Sequence, residues 1–154
     1  ARVAAMAKDI SELLDEATLP RGDGRGLTVA YHAACSLQHG QQVLQAPQRL
    51  LAAAGYTVVT PDEAHICCGS AGTYNILQSD LAAQLGDRKA DRLARQNADI
   101  VATGNIGCAM QIGARLSAPV VHTVELLDWA TGGPMPQALL QVRHHRSIHV
   151  PDQP

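Results

Sequence analysis

The sequence predicts an α/β fold, a parallel sheet of about four strands flanked by helices. Two observations lead to it. Four short β-rich runs alternate with helical stretches along the 154 residues, the pattern of parallel strands joined by right-handed crossovers. Hydrophobic residues make up 46% of the chain, yet aromatics are only 3% and Phe is absent. Such a core is built from Ala, Leu, Val and Ile, which suits helices layered on a sheet.

The elements read off in order. Ala1 to Leu14 reads as a helix, with Val3, Met6, Ile10, Leu13 and Leu14 near helical spacing. Pro20 to Gly26 (PRGDGRG) is a flexible turn. Leu27 to His32 is a buried strand between turn signals. Ser36 to Gly55 is helical, divided by Pro47 in the first turn of its second part and capped by Gly55. Tyr56 to Thr60 is the second strand and Pro61 to Ile66 a loop. Ser70 to Leu77 opens a helix, and Ser79 caps the next, Asp80 to Asn97. Asp99 to Thr103 and Pro119 to Thr123 are the third and fourth strands. Helices follow each, at Gly107 to Leu116 and Val124 to Ala130. Gly132 to Pro136 breaks the chain before a weak helix and polar tail, Gln137 to Pro154. The expected division is an N-terminal helix and linker (1–26), a cysteine-rich domain (27–131) and a C-terminal extension (132–154).

Net charge is −2, which leaves no basic face for nucleic acid and no polybasic membrane patch. The only lysines are Lys8 and Lys89, a scarcity read as coding bias. No apolar run approaches the roughly 20 residues that span a bilayer. The chain lacks a starting Met and opens inside the first helical pattern, so it is expected to be a piece of a longer protein. No phosphate loop is legible, since GDGRG precedes a strand instead of joining strand to helix. Asp62 and Glu63 are adjacent, so they are not a general acid/base pair across a cleft.

Four cysteines are left to explain, and each follows a strand. The first strand leads into Cys35, the second into Cys67 and Cys68, the third into Cys108 through GNIG. The carboxyl ends of parallel strands share one edge, where ligands bind, so the four thiols are expected to converge. Cys35, Cys68 and Cys108 sit at or just before expected helix starts, which favour the thiolate that binds metal. Gly69, Gly72, Gly104 and Gly107 would let the backbone approach a bulky cofactor. Neighbouring side chains of extended backbone point apart. Cys67 and Cys68 therefore suit a polynuclear iron–sulfur cluster, with each thiolate on its own iron, better than one small ion. A structural zinc site more typically shows CxxC pairs, and a vicinal disulfide is strained.

The phrases "YHAACSLQHGQ", "CCGSAGTYNILQ", "ATGNIGCAMQI" and "VVHTVELLDWA" cover roughly residues 30 to 130. With 31 residues between Cys35 and the CCG of Cys67, Cys68 and Gly69, they resemble the cysteine-rich CCG domain family. That family is shared by the heterodisulfide reductase B subunit, lactate-utilisation protein A and the iron–sulfur subunit of glycolate oxidase, whose phrases are nearest. The resemblance implies a Rossmann-like domain. It implies a cluster, a four-iron cubane (4Fe-4S) first of all, on Cys35, Cys67, Cys68 and Cys108, with zinc as an alternative occupant or the isolated piece empty. The family pattern closes on CxxC, whereas Gln111 stands at that last position here, so a fifth thiolate is lacking. The resemblance further implies an electron-transfer subunit of a glycolate or 2-hydroxy-acid oxidoreductase. Its partners would be a flavin-containing subunit and, in the same chain, N-terminal ferredoxin-type sites and a first CCG domain. A cytoplasmic location follows, attached to the inner face of the membrane through partner subunits. The piece alone is not expected to turn over substrate, and an apolar face left by the missing twin would favour a homodimer. Rival readings are a zinc-bound docking module and a thiol–disulfide domain using Cys67 and Cys68.

Among the histidines, His32 is placed to donate a hydrogen bond to a cluster sulfur. His39 and His65 lie near cysteines and are weaker candidates to replace a missing ligand. His122 has no assigned role. His144, His145 and His149 read as a solvated tail. Asn105 either makes a turn or bonds a cluster sulfur.

Overall fold

The computed structural model describes residues 3, 6–17 and 19–142. Its centre is a four-stranded, all-parallel sheet in the order β2-β1-β3-β4. The strands are β1 (Thr28–Tyr31), β2 (Thr57–Val59), β3 (Ile100–Thr103) and β4 (Val120–His122). Helices α1 (Ile10–Glu16), α2 (Ala46–Ala53), α3 (Tyr74–Leu77), α4 (Ser79–Ala94), α5 (Ile106–Gly113), α6 (Thr123–Ala130) and α7 (Gln137–Val142) complete it. All four expected strands are present, three trimmed at both ends and β3 at its start only.

Side chains alternate across the sheet with a period of two. Val29, Tyr31, Ile100, Ala102 and Val121 join Leu51, Leu126 and Trp129 in one apolar layer, against α2 and α6. Ala30 and Val101 face the other way, joining Leu93, Ile112, Cys68 and Cys108 beside α4 and α5. Two of the four cysteines thus belong to one layer. In the opposite layer Trp129 is fully buried, with the Arg25 guanidinium stacked 4.5 Å from its ring centre. Trp129→Ala is expected to destabilise the domain by about 3–5 kcal/mol, read from the midpoint and slope of urea unfolding.

Four local expectations are corrected. The first described helix is shorter than the apolar spacing implied, because Asp9 and Glu12 form a capping box that starts it at Ile10. The start of that reading, on residues 1, 2, 4 and 5, lies outside the described residues, as does the tail from 143 onward with His144, His145 and His149. The segment Ser36–Gln41 is a π-helix ending at Gln42 in the left-handed region (φ 61°), and α2 follows with Pro47 in its first turn, as expected. The glycine-rich turn is held tight. A Cβ on Gly24 would lie 2.2 Å from the Gly55 carbonyl, so the glycines there serve close backbone packing. Finally, the segment after CCG is not helical until Tyr74, and α4 begins at Ser79 itself, with Gln78 preceding it.

Candidate metal centre

Strand β1 lies between β2 and β3, so the chain leaves β1 to one side for β2 and returns to the other for β3. The crevice at the carboxyl ends of β1 and β3 is therefore the topological switch point, where open α/β sheets bind ligands. His32 leaves β1 there, its N–H donating to the Ala102 carbonyl at 2.8 Å. Cys35 follows as the residue capping the π-helix. Past β3, Asn105 caps α5, its Oδ1 accepting from the Cys108 N–H at 3.1 Å. Asn105 thus spends its side chain on the helix start and on orienting the Cys108 backbone.

Cys67 and Cys68 arrive from the loop after β2, and their sulfurs go to different neighbours. Cys68 Sγ lies 3.3 Å from Cys108 Sγ, a hydrogen-bonded contact between two buried thiols. Cys67 Sγ accepts from the Gly69 N–H at 3.3 Å and sits beside Cys35. Cys35 is pushed up to about 11, first by burial and then by its hydrogen bond with Cys67. Within the buried pair, the Cys68 thiol falls well below its ordinary value, chiefly because Cys108 donates to it, with His32 and the Ser70 backbone adding to the effect. Cys108 rises correspondingly. Cys68 lies six residues before the first residue of α3, so the expectation of a helix start favouring its thiolate is corrected. Neighbouring groups, Cys108 first, supply that effect.

Gly69 was expected to admit a cofactor, and its close approach is instead to α4. It adopts φ +86°, and a Cβ there would lie 2.3 Å from the Ala82 carbonyl oxygen. Gln111 turns to the same carbonyl, its Nε2 donating at 3.1 Å, so it holds α5 to α4.

His32 stands beside the sulfurs. A ring nitrogen and the sulfurs of Cys68 and Cys108 all lie within 4.8 Å of one another, and all three residues are buried. Among the described residues, neither ring nitrogen has a hydrogen-bond partner, a costly state for a buried imidazole that lacks a ligand. The order strand, His, two residues, Cys was the only sequence signal for this. His39 Nε2 donates to the His65 carbonyl at 3.1 Å, both residues being exposed. His122 caps α6, its Nδ1 accepting from the Val124 N–H.

The donor set fits a thiolate-held metal. The thiols, all unbridged, fall into two pairs, Cys68 with Cys108 beside the orphaned His32 imidazole and Cys67 with Cys35. For a single tetrahedral ion, metal–sulfur bonds of about 2.3 Å put two sulfurs roughly 3.8 Å apart, near the 3.3 Å seen for Cys68 and Cys108.

Residues 29–113 match the model of the CCG family, described as a cysteine-rich domain. The chain belongs to this family. It is 35% identical over 133 residues to the glycolate oxidase iron-sulfur subunit of Escherichia coli, covering 84% of this chain and 32% of that one. It is 32% identical over 104 residues to lactate utilization protein A of an Exiguobacterium species, covering 64% of this chain and 42% of the relative. The corresponding protein of Geobacillus kaustophilus is 30% identical over 135 residues, 82% of this chain and 56% of that one. The chain therefore spans from a third to just over half the length of these curated relatives. No helix among the described residues is long and apolar enough to cross a membrane.

The loop that delivers Cys67 is clamped by α4. Glu63, in left-handed backbone (φ 56°), receives Arg88 and Arg92 on its carboxylate. Those guanidinium groups, Arg88 first, pull it from an ordinary 4.5 down to about 2. A carboxyl depressed on folding contributes stability above its unfolded value and loses it as pH falls through the folded one. The melting temperature is accordingly expected to decline between about pH 4.5 and 2 more steeply in the parent than in Glu63→Gln. Added salt should narrow that difference, because the pairs are solvent-facing.

Proposed function

We propose that Cys35, Cys67, Cys68 and Cys108 hold an iron–sulfur cluster, a four-iron cubane on four thiolates, and that the domain relays electrons within a glycolate or 2-hydroxy-acid oxidoreductase. The observation that supports this reading is the buried contact of Cys68 with Cys108 at 3.3 Å, with a second thiol pair, Cys35 and Cys67, delivered by the loops after β1 and β2. The names of the relatives support it. The electrons come from a flavin-containing subunit and leave toward a quinone or another acceptor. In this reading the relay domain is residues 27–131. It works beside ferredoxin-type sites and a first CCG domain of a longer chain, on the cytoplasmic side of the membrane. Exposed Ile76 and Leu77 on α3, with Ile106 and Met110 on α5, flank the centre and support a face covered by a partner.

Each residue has a task. The four thiolates neutralise and fix the metal, Asn105 sets the Cys108 backbone, and the buried Ala34, Leu37 and Ile112 side chains exclude water. When bound, an iron–sulfur cluster supplies one-electron chemistry, tuned by hydrogen bonds to sulfur and by burial.

One observation favours a second reading, in which zinc is held for structure or docking. His32, Cys68 and Cys108 offer three donors at the spacing of a single ion, and Cys35 or Cys67 completes four. A vicinal redox pair is disfavoured, since Cys67 and Cys68 direct their sulfurs to different neighbours.

Anaerobic purification with metal analysis and a visible spectrum separates these. Iron and acid-labile sulfide in about equal amounts, with a brown colour, is the expected result. Stoichiometric zinc without a visible band would replace it with the second reading, and a metal-free protein with a reversible disulfide would overturn both.

A further inference from the structure

Lys89 is one of two lysines in the chain, and only 1% of it is exposed. It lies within α4, between Arg88 and Arg92, which grip the Glu63 carboxylate from the solvent side. Lys89 Nζ instead reaches the backbone of that loop, donating to the Glu63 carbonyl at 2.9 Å and the Ala64 carbonyl at 3.2 Å. Three residues further on the loop delivers Cys67 and Cys68.

A buried ammonium is costly unless its charge is compensated. The two carbonyls satisfy donors but carry no net charge, and Lys89 makes no ion pair among the described residues. Arg88 and Arg92 already hold the loop from the surface. What a neutral donor would not supply is the positive charge itself. Burial is the largest influence on the ammonium and lowers its pKa from the ordinary value, while the charges of Cys35, Cys68 and Cys67, followed by Glu63, act in its favour.

We propose that Lys89 is the fixed counter-charge of the thiolate centre, a positioning residue whose ammonium favours the thiolates and the more negative, reduced state of the metal group they hold. The inference rests on the thiolate-centre reading above. Reduction adds one electron, and hence one negative charge, at the centre. A cation held nearby in a poorly screened interior favours that charge.

The test compares the parent chain, Lys89→Met, Lys89→Arg and Glu63→Gln, each with its iron–sulfur cluster assembled, by mediated redox titration. Lys89→Met is expected to disfavour reduction by about tenfold or more, a midpoint at least ~59 mV more negative for one electron. Lys89→Arg restores most of the difference, and Glu63→Gln, which removes a partly exposed carboxylate already paired with Arg88 and Arg92, shifts the potential much less than Lys89→Met. A Lys89→Met protein with parental cluster content and parental potential overturns the inference. If Lys89→Met takes up no cluster, Lys89→Arg decides: cluster uptake at the parental potential supports the charge, and failure overturns it. If the parent itself takes up no iron but binds Zn²⁺, the cluster reading has failed separately. Chelator competition then serves, with Zn²⁺ binding weakened tenfold or more in Lys89→Met in support and equal affinity against. A parent that binds neither metal removes the centre and the counter-charge together.

Discussion

Cys68→Ser is expected to strip the chain of bound metal, a fall of at least about tenfold in iron per chain after anaerobic purification. The thiol is 1% exposed and faces Cys108 at 3.3 Å. Serine offers a harder, shorter donor whose hydroxyl is far too weak an acid to replace the thiolate. Its buried hydroxyl would also lose much of its hydrogen bonding, costing about 1–3 kcal/mol in the metal-free protein. Cys67→Ser separates the two effects. Cys67 is only partly buried and bonded to the Gly69 N–H, so the variant should keep nearly parental metal-free stability while losing the iron. Iron analysis beside urea unfolding of both variants checks this. Parental iron in Cys67→Ser would remove that residue from the ligand set.

Gly69→Ala should be as damaging without touching a donor. The position needs a left-handed backbone, and an added Cβ would fall 2.3 Å from the Ala82 carbonyl oxygen. Left-handed strain costs about 1–2 kcal/mol, and the overlap must move either the CCG loop or α4. Because the atom struck is backbone, no rotamer change relieves it. A loss of at least about 2 kcal/mol is expected, with metal retention falling alongside, since Cys68 and α4 can no longer approach. Urea unfolding with parental midpoint and slope would show that the loop has room that the geometry denies it.

Some of this was readable from the chain and some was not, for physical reasons. The strands were legible because runs such as Leu27–His32 and Asp99–Thr103 are apolar and bounded by turn residues, as buried parallel strands must be. The clustering of Cys68 with Cys108 followed from strand order alone, since parallel strands end on one edge. The π-helix at Ser36–Gln41 left no trace, because periodicity reports a buried face and not the ring size of the backbone bonds. Lys89 was hidden for a related reason. A lysine in an amphipathic helix reads as solvated, and only the loop folding over α4 buries it against the Glu63 and Ala64 carbonyls. Gln111 was noticed only as a missing thiol, whereas its amide ties α5 to the Ala82 carbonyl. His32 was legible as a neighbour of the site, but its orphaned ring nitrogens exist only in three dimensions.

Alkylation of the native chain with iodoacetamide, before and after metal removal, tests the shared centre most directly. Mass spectrometry locates the label. The account predicts that Cys35 and Cys67, the two partly buried thiols, are protected together in the loaded protein and labelled together once the metal is removed, and that Cys68 and Cys108 stay unlabelled until unfolding. Labelling of either partly buried thiol while the metal content stays constant would contradict a single centre held by all four.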